Sequence, residues 1–268
     1  MCDLLGMSFS TPINARISLD IFQLRGEVNP DGWGLAYYRD EHLQVIKEAK
    51  AAVESTLFDF IENYPQSKTF ISHVRRSTRG IPSYLNTHPF YRRVVTEEYS
   101  FAHNGTLTDL SNLHLGHFKP LGETDSEHTF CYILDAIQKR EITRWSLTDF
   151  EFLERLLRDI NSSVNTFNCI FSDGTHLFCY SDENRHNDGL RFFRHDQATG
   201  HVEMVADDFK LGSIEIESAN IGGLDEIDQT GYVIVTRALT DDAWVEFIPG
   251  ELIVFKDGEI IYPSSRTK

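Results

Sequence analysis

The chain begins MCDLLGM, residues 1–7, and the cysteine at position 2 decides how the rest of the sequence is interpreted. Removal of Met1 would place a thiol and a free α-amino group on the same residue. A free thiol has a pKa of about 8.5, and an α-amino group has a pKa of about 7.7–8.0. Near neutral pH, part of the amine is therefore unprotonated and can accept the thiol proton. N-terminal threonine nucleophiles are activated in this way. The alternative is a small buried residue in a first strand.

The composition favours a folded chain with an acidic surface. Of 268 residues, 41% are hydrophobic and 12% aromatic, which suits one large domain or two small ones. The net charge of −16 disfavours a nucleic acid or an anionic membrane as partner, because both select Lys/Arg patches. A site for an anionic substrate must therefore supply its own local cations.

The four cysteines form no C-x-x-C pair, so the sequence predicts neither a zinc site nor a disulfide scaffold. The first residues lack a basic segment and include Asp3, which is not typical of a signal peptide. No uncharged run approaches the ~18 apolar residues of a membrane span. We expect a cytoplasmic protein without a metal.

Hairpins dominate the predicted secondary structure. Residues 32–49 read as two strands around a polar turn at Arg39–His42, and residues 168–182 as two strands around Ser172–Thr175. Asp257-Gly258 separates two more apolar runs, and Asp-Gly between such runs is a strong hairpin signal. The sheets should therefore be antiparallel, with helices packed outside them. The polar stretch from Ser181 to Thr230 is interpreted as excursions from one domain.

Two helices with apolar faces are predicted, each preceded by a capping box. In the first, Thr124 is the cap and Glu127 lies in the first turn; in the second, Thr148 and Glu151 take the same two positions. A less regular helix is expected over residues 51–61.

Three polar segments could carry chemistry. Arg75, Arg76 and Arg79 lie at the end of an apolar run, where a guanidinium can bind a carboxylate bidentately, although a solvated strand end is the usual alternative. Asn104-Gly105 reads by default as a hairpin turn, but an Asn amide and a Gly N–H can also form an oxyanion hole. Asp125, in the first turn of a predicted helix, can bind an ammonium group.

Taken together and in order, these motifs are specific. Cys2, H-V-R-x-x-T-x-G at 73–80, H-N-G at 103–105 and E-T-D-S-E at 123–127 resemble the class II glutamine amidotransferases, which are N-terminal nucleophile hydrolases. Residues 231–261 also look like the final strands of small stand-alone members. The resemblance implies an α+β fold, a four-layer αββα sandwich of two antiparallel sheets flanked by helices. It also implies a single domain over residues 1–268, with Met1 removed.

The resemblance implies roles for six residues. Cys2 is expected to be the nucleophile, with its own amine as base, and Asn104 and Gly105 to form the oxyanion hole. Arg75, with Thr78 nearby, is expected to bind the α-carboxylate of a glutamine-like substrate. Asp125 is expected to bind its α-ammonium group. No cofactor or metal is needed for the cycle, which passes through a γ-glutamyl thioester.

Three interpretations of the activity stay open. The protein hydrolyses glutamine for a separate ammonia-accepting synthase subunit, or it is a self-sufficient amidohydrolase of a γ-glutamyl compound. The third is a catalytically inactive relative that binds a γ-glutamyl ligand or a partner protein. Arg76 and Arg79 differ from the residues of known members, and two extra cations favour a ligand with a further negative charge.

Overall fold

The computed structural model describes residues 2–14, 23–61, 66–185, 189–195, 202–206, 209–214, 230–239 and 243–267. Its helices are α1 (Thr56–Ile61), α2 (Asp125–Lys139) and α3 (Leu147–Ile160). Its strands are β1 (Asp3–Asn14), β2 (Trp33–Arg39), β3 (His42–Glu48), β4 (Gln66–Val74), β5 (Phe90–Val94), β6 (Glu97–Thr106), β7 (Thr166–Ser172), β8 (Leu177–Tyr180), β9 (Arg191–His195), β10 (Val202–Ala206), β11 (Phe209–Ile214), β12 (Gly231–Val235), β13 (Val245–Glu246), β14 (Leu252–Lys256) and β15 (Glu259–Tyr262).

Two antiparallel sheets form the centre of the molecule. The seven-stranded sheet has the order β13-β9-β12-β1-β4-β2-β3, and the six-stranded sheet has the order β15-β14-β8-β7-β6-β5. Strands β10 and β11 pair with each other. The three predicted hairpins are confirmed: β2–β3, β7–β8 and β14–β15 each pair across the expected turn.

Three apolar clusters separate the layers. Side chains alternate along each strand, so Leu4 of β1 packs between the sheets while Leu5 packs on the outer face of the seven-stranded sheet with Phe58 of α1. On the other side, α2 and α3 pack against the six-stranded sheet, where Phe130 stacks on Phe101 with ring centroids 5.1 Å apart. The predicted four-layer αββα sandwich is thereby confirmed.

The predicted helix starts are right for α2 and wrong for α3. Thr124 caps α2 and accepts a hydrogen bond from the Glu127 N–H at 3.1 Å. The Glu127 carboxylate, however, accepts from Arg92 and the Gly122 N–H, so only half of the capping box forms. Helix α3 begins two residues earlier than expected, at Leu147. Its cap is Ser146, whose N–H donates to the Asp149 carboxylate at 3.1 Å and so provides the pairing expected of Thr148.

The helix expected over residues 51–61 is interrupted. A 3-10 turn over Ala52–Glu54 precedes α1, and Ser55 separates them. The Ser55 hydroxyl accepts the Phe58 N–H at 3.2 Å, which ends one segment and caps the next. Within the described ranges, no helix is long and apolar enough to cross a membrane. About half of the predicted excursion between Ser181 and Thr230 lies outside the described residues.

Candidate active site

The position of Cys2 follows from the pairing of β1 with β4. Asp3 lies opposite Val74 in that ladder, so the residue before one strand meets the residues that follow the other. The Cys2 thiol donates to the Arg76 carbonyl oxygen at 3.2 Å, and the Arg76 N–H donates back to Sγ at 3.1 Å. Strand pairing therefore brings the predicted nucleophile to the predicted arginine segment.

The residue after Cys2 is held by a buried charge network that the sequence analysis missed. Asp3 is 1% exposed and accepts hydrogen bonds from Arg25 at 3.1 Å, Arg237 Nε at 2.9 Å and Thr236 at 3.0 Å. Burial alone would raise the pKa of Asp3, but the hydrogen bond from Arg237 and the charge of Arg25 outweigh it and hold that pKa below its usual value. These partners lie up to 234 positions away, so no local pattern points to them.

Asn104 and Gly105 lie inside β6 and not in a hairpin turn, so the default interpretation of this dipeptide is wrong. The two residues pair with Asn168 and Phe167 of β7, and extended pairing excludes a turn. The Asn104 side-chain amide donates to the Cys2 carbonyl oxygen. Gly105 has a φ of +153°, and a Cβ there would overlap the Thr166 carbonyl oxygen. Only glycine fits at this position.

Arg75, which follows β4, and Asp125, which begins α2, line one small cavity. Arg75 is 3% exposed and donates through Nη2 to the carbonyl oxygens of Arg79 at 2.7 Å and Gly80 at 3.2 Å. Its Nη1 is buried without a hydrogen-bond partner among the described residues. Asp125 is 5% exposed, and its Oδ2 accepts the Leu107 N–H at 2.6 Å. Two opposite charges are therefore available to a ligand in this cavity.

The segment after Arg75 is folded back by hydrogen bonds. The Ser77 N–H donates to Asp31 at 2.7 Å, and its hydroxyl donates to the Gly80 carbonyl oxygen at 2.7 Å. Gly80 has a φ of +71°, which closes the loop. Thr78 is exposed, and its hydroxyl lies 3.2 Å from that of Thr106. The predicted substrate-binding residue Thr78 is therefore accessible to solvent.

Two cavities meet at Cys2. The inner cavity has an open volume of about 20 Å³, enough for about one water, and Arg75, Arg79, His88, His103 and Asp125 are among its lining residues. The outer cleft has a volume of about 410 Å³. Cys2, Arg76, Ser77, Thr78 and Gly105 line both cavities. All six predicted site residues therefore lie within one site: Cys2, Arg75, Thr78, Asn104, Gly105 and Asp125.

Three buried histidines, His73, His88 and His103, lie at or beside the inner cavity, and the sequence analysis assigned none of them a role. The rings of His73 and His88 lie 4.2 Å apart, and both nitrogens of each ring have no hydrogen-bond partner in the described part of the chain. Burial, together with neighbouring positive charge, lowers the pKa of His73 to about 3 and that of His88 well below its usual value. Both rings are therefore neutral at physiological pH.

His103 differs from the other two because its ring is hydrogen-bonded. Nε2 lies 3.0 Å from the Thr166 carbonyl oxygen and must carry the proton, since a carbonyl only accepts. Nδ1 therefore accepts from Ser126, 2.8 Å away, and burial lowers the pKa of His103. Among the described residues, no group of three or more His, Cys, Asp or Glu side chains could hold a metal ion.

The Cys2 thiol is not a preformed thiolate. Burial raises its pKa, and the hydrogen bond from the Arg76 N–H and the charge of Arg75 reduce the increase without reversing it. Because the thiolate is the nucleophilic form, an attack by Cys2 at neutral pH needs a base that removes the proton. The partners of Sγ given above are both backbone atoms, and neither is that base.

Comparison with known proteins identifies the family. The sequence model of the class II glutamine amidotransferases matches residues 1–268. The chain belongs to the class II glutamine amidotransferases. This amidotransferase is 40% identical to the uncharacterized protein MJ1515 of Methanocaldococcus jannaschii over 99% of its own length and 72% of the relative. It is 30% identical to Escherichia coli YafJ, whose name assigns it provisionally to the glutamine amidotransferases, over 97% of this chain and 99% of YafJ.

A solved structure supports the fold of this amidotransferase. A predicted glutamine amidotransferase from Pseudomonas aeruginosa PA01 superposes with a TM-score of 0.71 at 24% identity, covering 98% of this chain and 100% of the other. The family and the fold expected from the four motifs are therefore confirmed.

Proposed function

We propose that this amidotransferase cleaves the γ-amide of glutamine or of a γ-glutamyl compound through a thioester on Cys2. The observation that carries the proposal is the convergence on Cys2 of a buried cation, a buried carboxylate and two oxyanion-type donors: Arg75, Asp125, Asn104 and Gly105. A glutamyl head group carries one carboxylate and one ammonium group, which this charge pair complements.

The base in this proposal is the α-amino group of Cys2, which requires removal of Met1. The raised pKa of the thiol supports this need, because little thiolate forms at neutral pH without a base. An amine on the same residue accepts the proton directly or through one water. The amine then returns the proton to the departing nitrogen.

The inner cavity must widen when substrate binds. An open volume of about 20 Å³ does not hold an amino-acid head group. The Nη2 of Arg75 now donates to two loop carbonyls, and its Nη1 has no partner in the described part of the chain. We expect the loop at residues 79–80 to move outwards, so that the substrate carboxylate takes both Nη positions.

The chemical steps balance without a cofactor. Sγ of Cys2 attacks the γ-carbonyl carbon, the C–S bond forms, and the carbonyl oxygen becomes an oxyanion that accepts from the Gly105 N–H and the Asn104 amide. Collapse breaks the C–N bond, and ammonia or an amine leaves with the returned proton. Water then attacks the thioester, releasing the γ-carboxylate and restoring the thiol.

The test combines labelling with turnover. The intact mass of the purified protein is measured before and after exposure to a diazo-ketone analogue of glutamine, and ammonia release from glutamine and amine release from γ-glutamyl amides are measured in parallel. We expect a protein without methionine at its start, one adduct on Cys2 and measurable turnover. The Cys2→Ala variant should fold normally but show neither adduct nor turnover.

Three outcomes separate the alternatives. Turnover by Cys2→Ala at the wild-type rate would show that another residue is the nucleophile. A folded wild-type protein that binds glutamate but gives no adduct and no turnover would favour the inactive, ligand-binding relative. Ammonia released into solution without any partner would mean that hydrolysis does not depend on a synthase subunit.

A further inference from the structure

No acidic residue is among the described lining residues of the outer cleft beside Cys2. They include Ser77, Thr78, Thr106 and Thr166, which bear hydroxyl groups, and Arg76, which bears a guanidinium. The whole chain has 41 acidic and 25 basic residues, so a cleft with a cation and no acid departs from the rest of the molecule.

Arg76 differs from many arginines of this protein in having no acidic partner. Arg25, Arg92 and Arg266 each lie in an ion pair with a buried carboxylate. Within the described ranges, the guanidinium of Arg76 is exposed and forms neither an ion pair nor a hydrogen bond. An uncompensated cation on the wall of a cleft attracts anionic ligands.

The position of the cleft relative to Cys2 gives its use. Arg75 and Asp125, the charge pair for the glutamyl head group, line the inner cavity and not the outer cleft. A substrate held by that pair with its γ-carbonyl at Sγ directs the leaving nitrogen away from the inner cavity, into the cleft. The cleft volume of about 410 Å³ is many times the ~30 Å³ that an ammonia-sized molecule occupies.

We infer that the outer cleft binds a leaving amine that bears a carboxylate, and that Arg76 is the specificity-determining residue that recognises it. The preferred substrate is then a γ-glutamyl amino acid or short γ-glutamyl peptide, with glutamine a poorer one. The inference rests on the proposed function of the site. In the reaction, water replaces the γ-amide nitrogen, and the products are glutamate and a free amino acid or peptide.

The experiment compares two matched substrates that differ by one charge. The value of kcat/KM is measured for γ-glutamylglycine, for γ-glutamylglycinamide and for glutamine, with wild-type protein and with Arg76→Gln. The wild type should prefer the acid over the amide by about 10-fold or more, the range of a charge-assisted hydrogen bond. In Arg76→Gln the preference should fall to within about twofold.

Two further variants keep the result interpretable. Arg93→Gln removes an exposed arginine of β5 that lines neither cavity, and it should retain the wild-type preference. Arg76→Lys keeps the charge without the planar donors and should retain part of the preference. If Arg76→Gln proves unfolded by circular dichroism, a preference for the acid that falls with added salt in wild type and in Arg76→Lys supports the inference.

Each failure has a distinct signature. Equal kcat/KM for the acid and the amide in wild-type protein overturns the inference while leaving the proposed hydrolysis intact, as does an undiminished preference in Arg76→Gln. Absence of turnover on all three substrates, with no diazo-ketone adduct on Cys2, overturns the proposed function and the inference with it.

Discussion

The side-chain amide of Asn104 donates a hydrogen bond to the backbone carbonyl of Cys2, which lies 102 positions earlier in the chain. Asn104 belongs to β6 of the six-stranded sheet, and Cys2 precedes β1 of the seven-stranded sheet. The contact therefore fixes Cys2 across the boundary between the sheets. Because a carboxamide has two N–H donors, the same side chain can hold Cys2 and donate to an oxyanion.

Replacing Asn104 should reduce the rate more than the affinity. We expect Asn104→Ala to lower kcat by about 10²-fold or more, because a donor to the transition-state oxyanion is lost. Steady-state kinetics on glutamine and on a γ-glutamyl amide measure this. Asn184→Ala, which removes an exposed amide that donates to the Ser162 carbonyl oxygen, serves as the control. A change in KM alone would contradict the oxyanion role.

Arg75 should be needed as an arginine and not merely as a cation. Arg75→Lys keeps the charge but loses the planar pair of donors, so kcat/KM should fall about 10-fold or more. Labelling of Cys2 by the diazo-ketone analogue should slow in parallel, since the analogue and the substrate carry the same amino-acid head group. The exposed Arg93→Gln is the matched control, and equal kcat/KM in Arg75→Lys and wild type would argue against carboxylate binding.

Asp3 should matter for stability because it balances two arginines in a buried site. Asp3→Asn leaves Arg25 and Arg237 without their carboxylate, and breaking a buried ion pair in this way costs about 3–5 kcal/mol. Urea unfolding at pH 7 measures the loss. Asp257→Asn, which removes an exposed partner of Lys68, should change stability by less than about 1 kcal/mol.

The pH dependence of the stability difference between wild type and Asp3→Asn provides a second check. The pKa of Asp3 is lower in the folded than in the unfolded protein, so its ionisation stabilises the fold above the unfolded value of about 3.9. The contribution is lost as pH falls through the folded pKa. The gap between wild type and Asp3→Asn should therefore narrow below about pH 4, and a gap that stays constant there would contradict this account.

His88 should make the protein less stable in mild acid. Its ring is neutral when folded because burial lowers its pKa, whereas the unfolded side chain binds a proton below about pH 6.5. Unfolding then takes up a proton, and stability falls by about 1 kcal/mol between pH 7.5 and 5.5 on account of this residue. The free energy of unfolding of wild type should drop more over this range than that of His88→Gln. If the free energies of unfolding of wild type and His88→Gln fall equally over this pH range, His88 does not have this effect.

Much of the fold was predictable because its signals are local. Asp257-Gly258 predicts a turn from two adjacent residues, and the helix caps depend on residues three positions apart. Even there, the α3 cap was placed two residues late, because Ser146 with Asp149 and Thr148 with Glu151 offer the same pattern. Which pair is used depends on how the helix packs.

The site was predictable only through the order of its motifs, since no single motif decides it. Asn104-Gly105 has the sequence of a turn, and pairing of β6 with β7 makes it a strand. The Asp3 network and the facing rings of His73 and His88 join residues distant in sequence. Such contacts depend on how distant segments pack together, and the sequence around either residue does not identify its partner.

Cys2 and Arg75 extend from one sheet, whereas Asn104 belongs to the other and Asp125 begins the helix packed on its outer face. A ligand that contacts both Arg75 and Asp125 links the two halves of the sandwich, and the link is lost when the ligand leaves. Under the proposed function, the two halves would therefore be held together most firmly while the glutamyl group is bound.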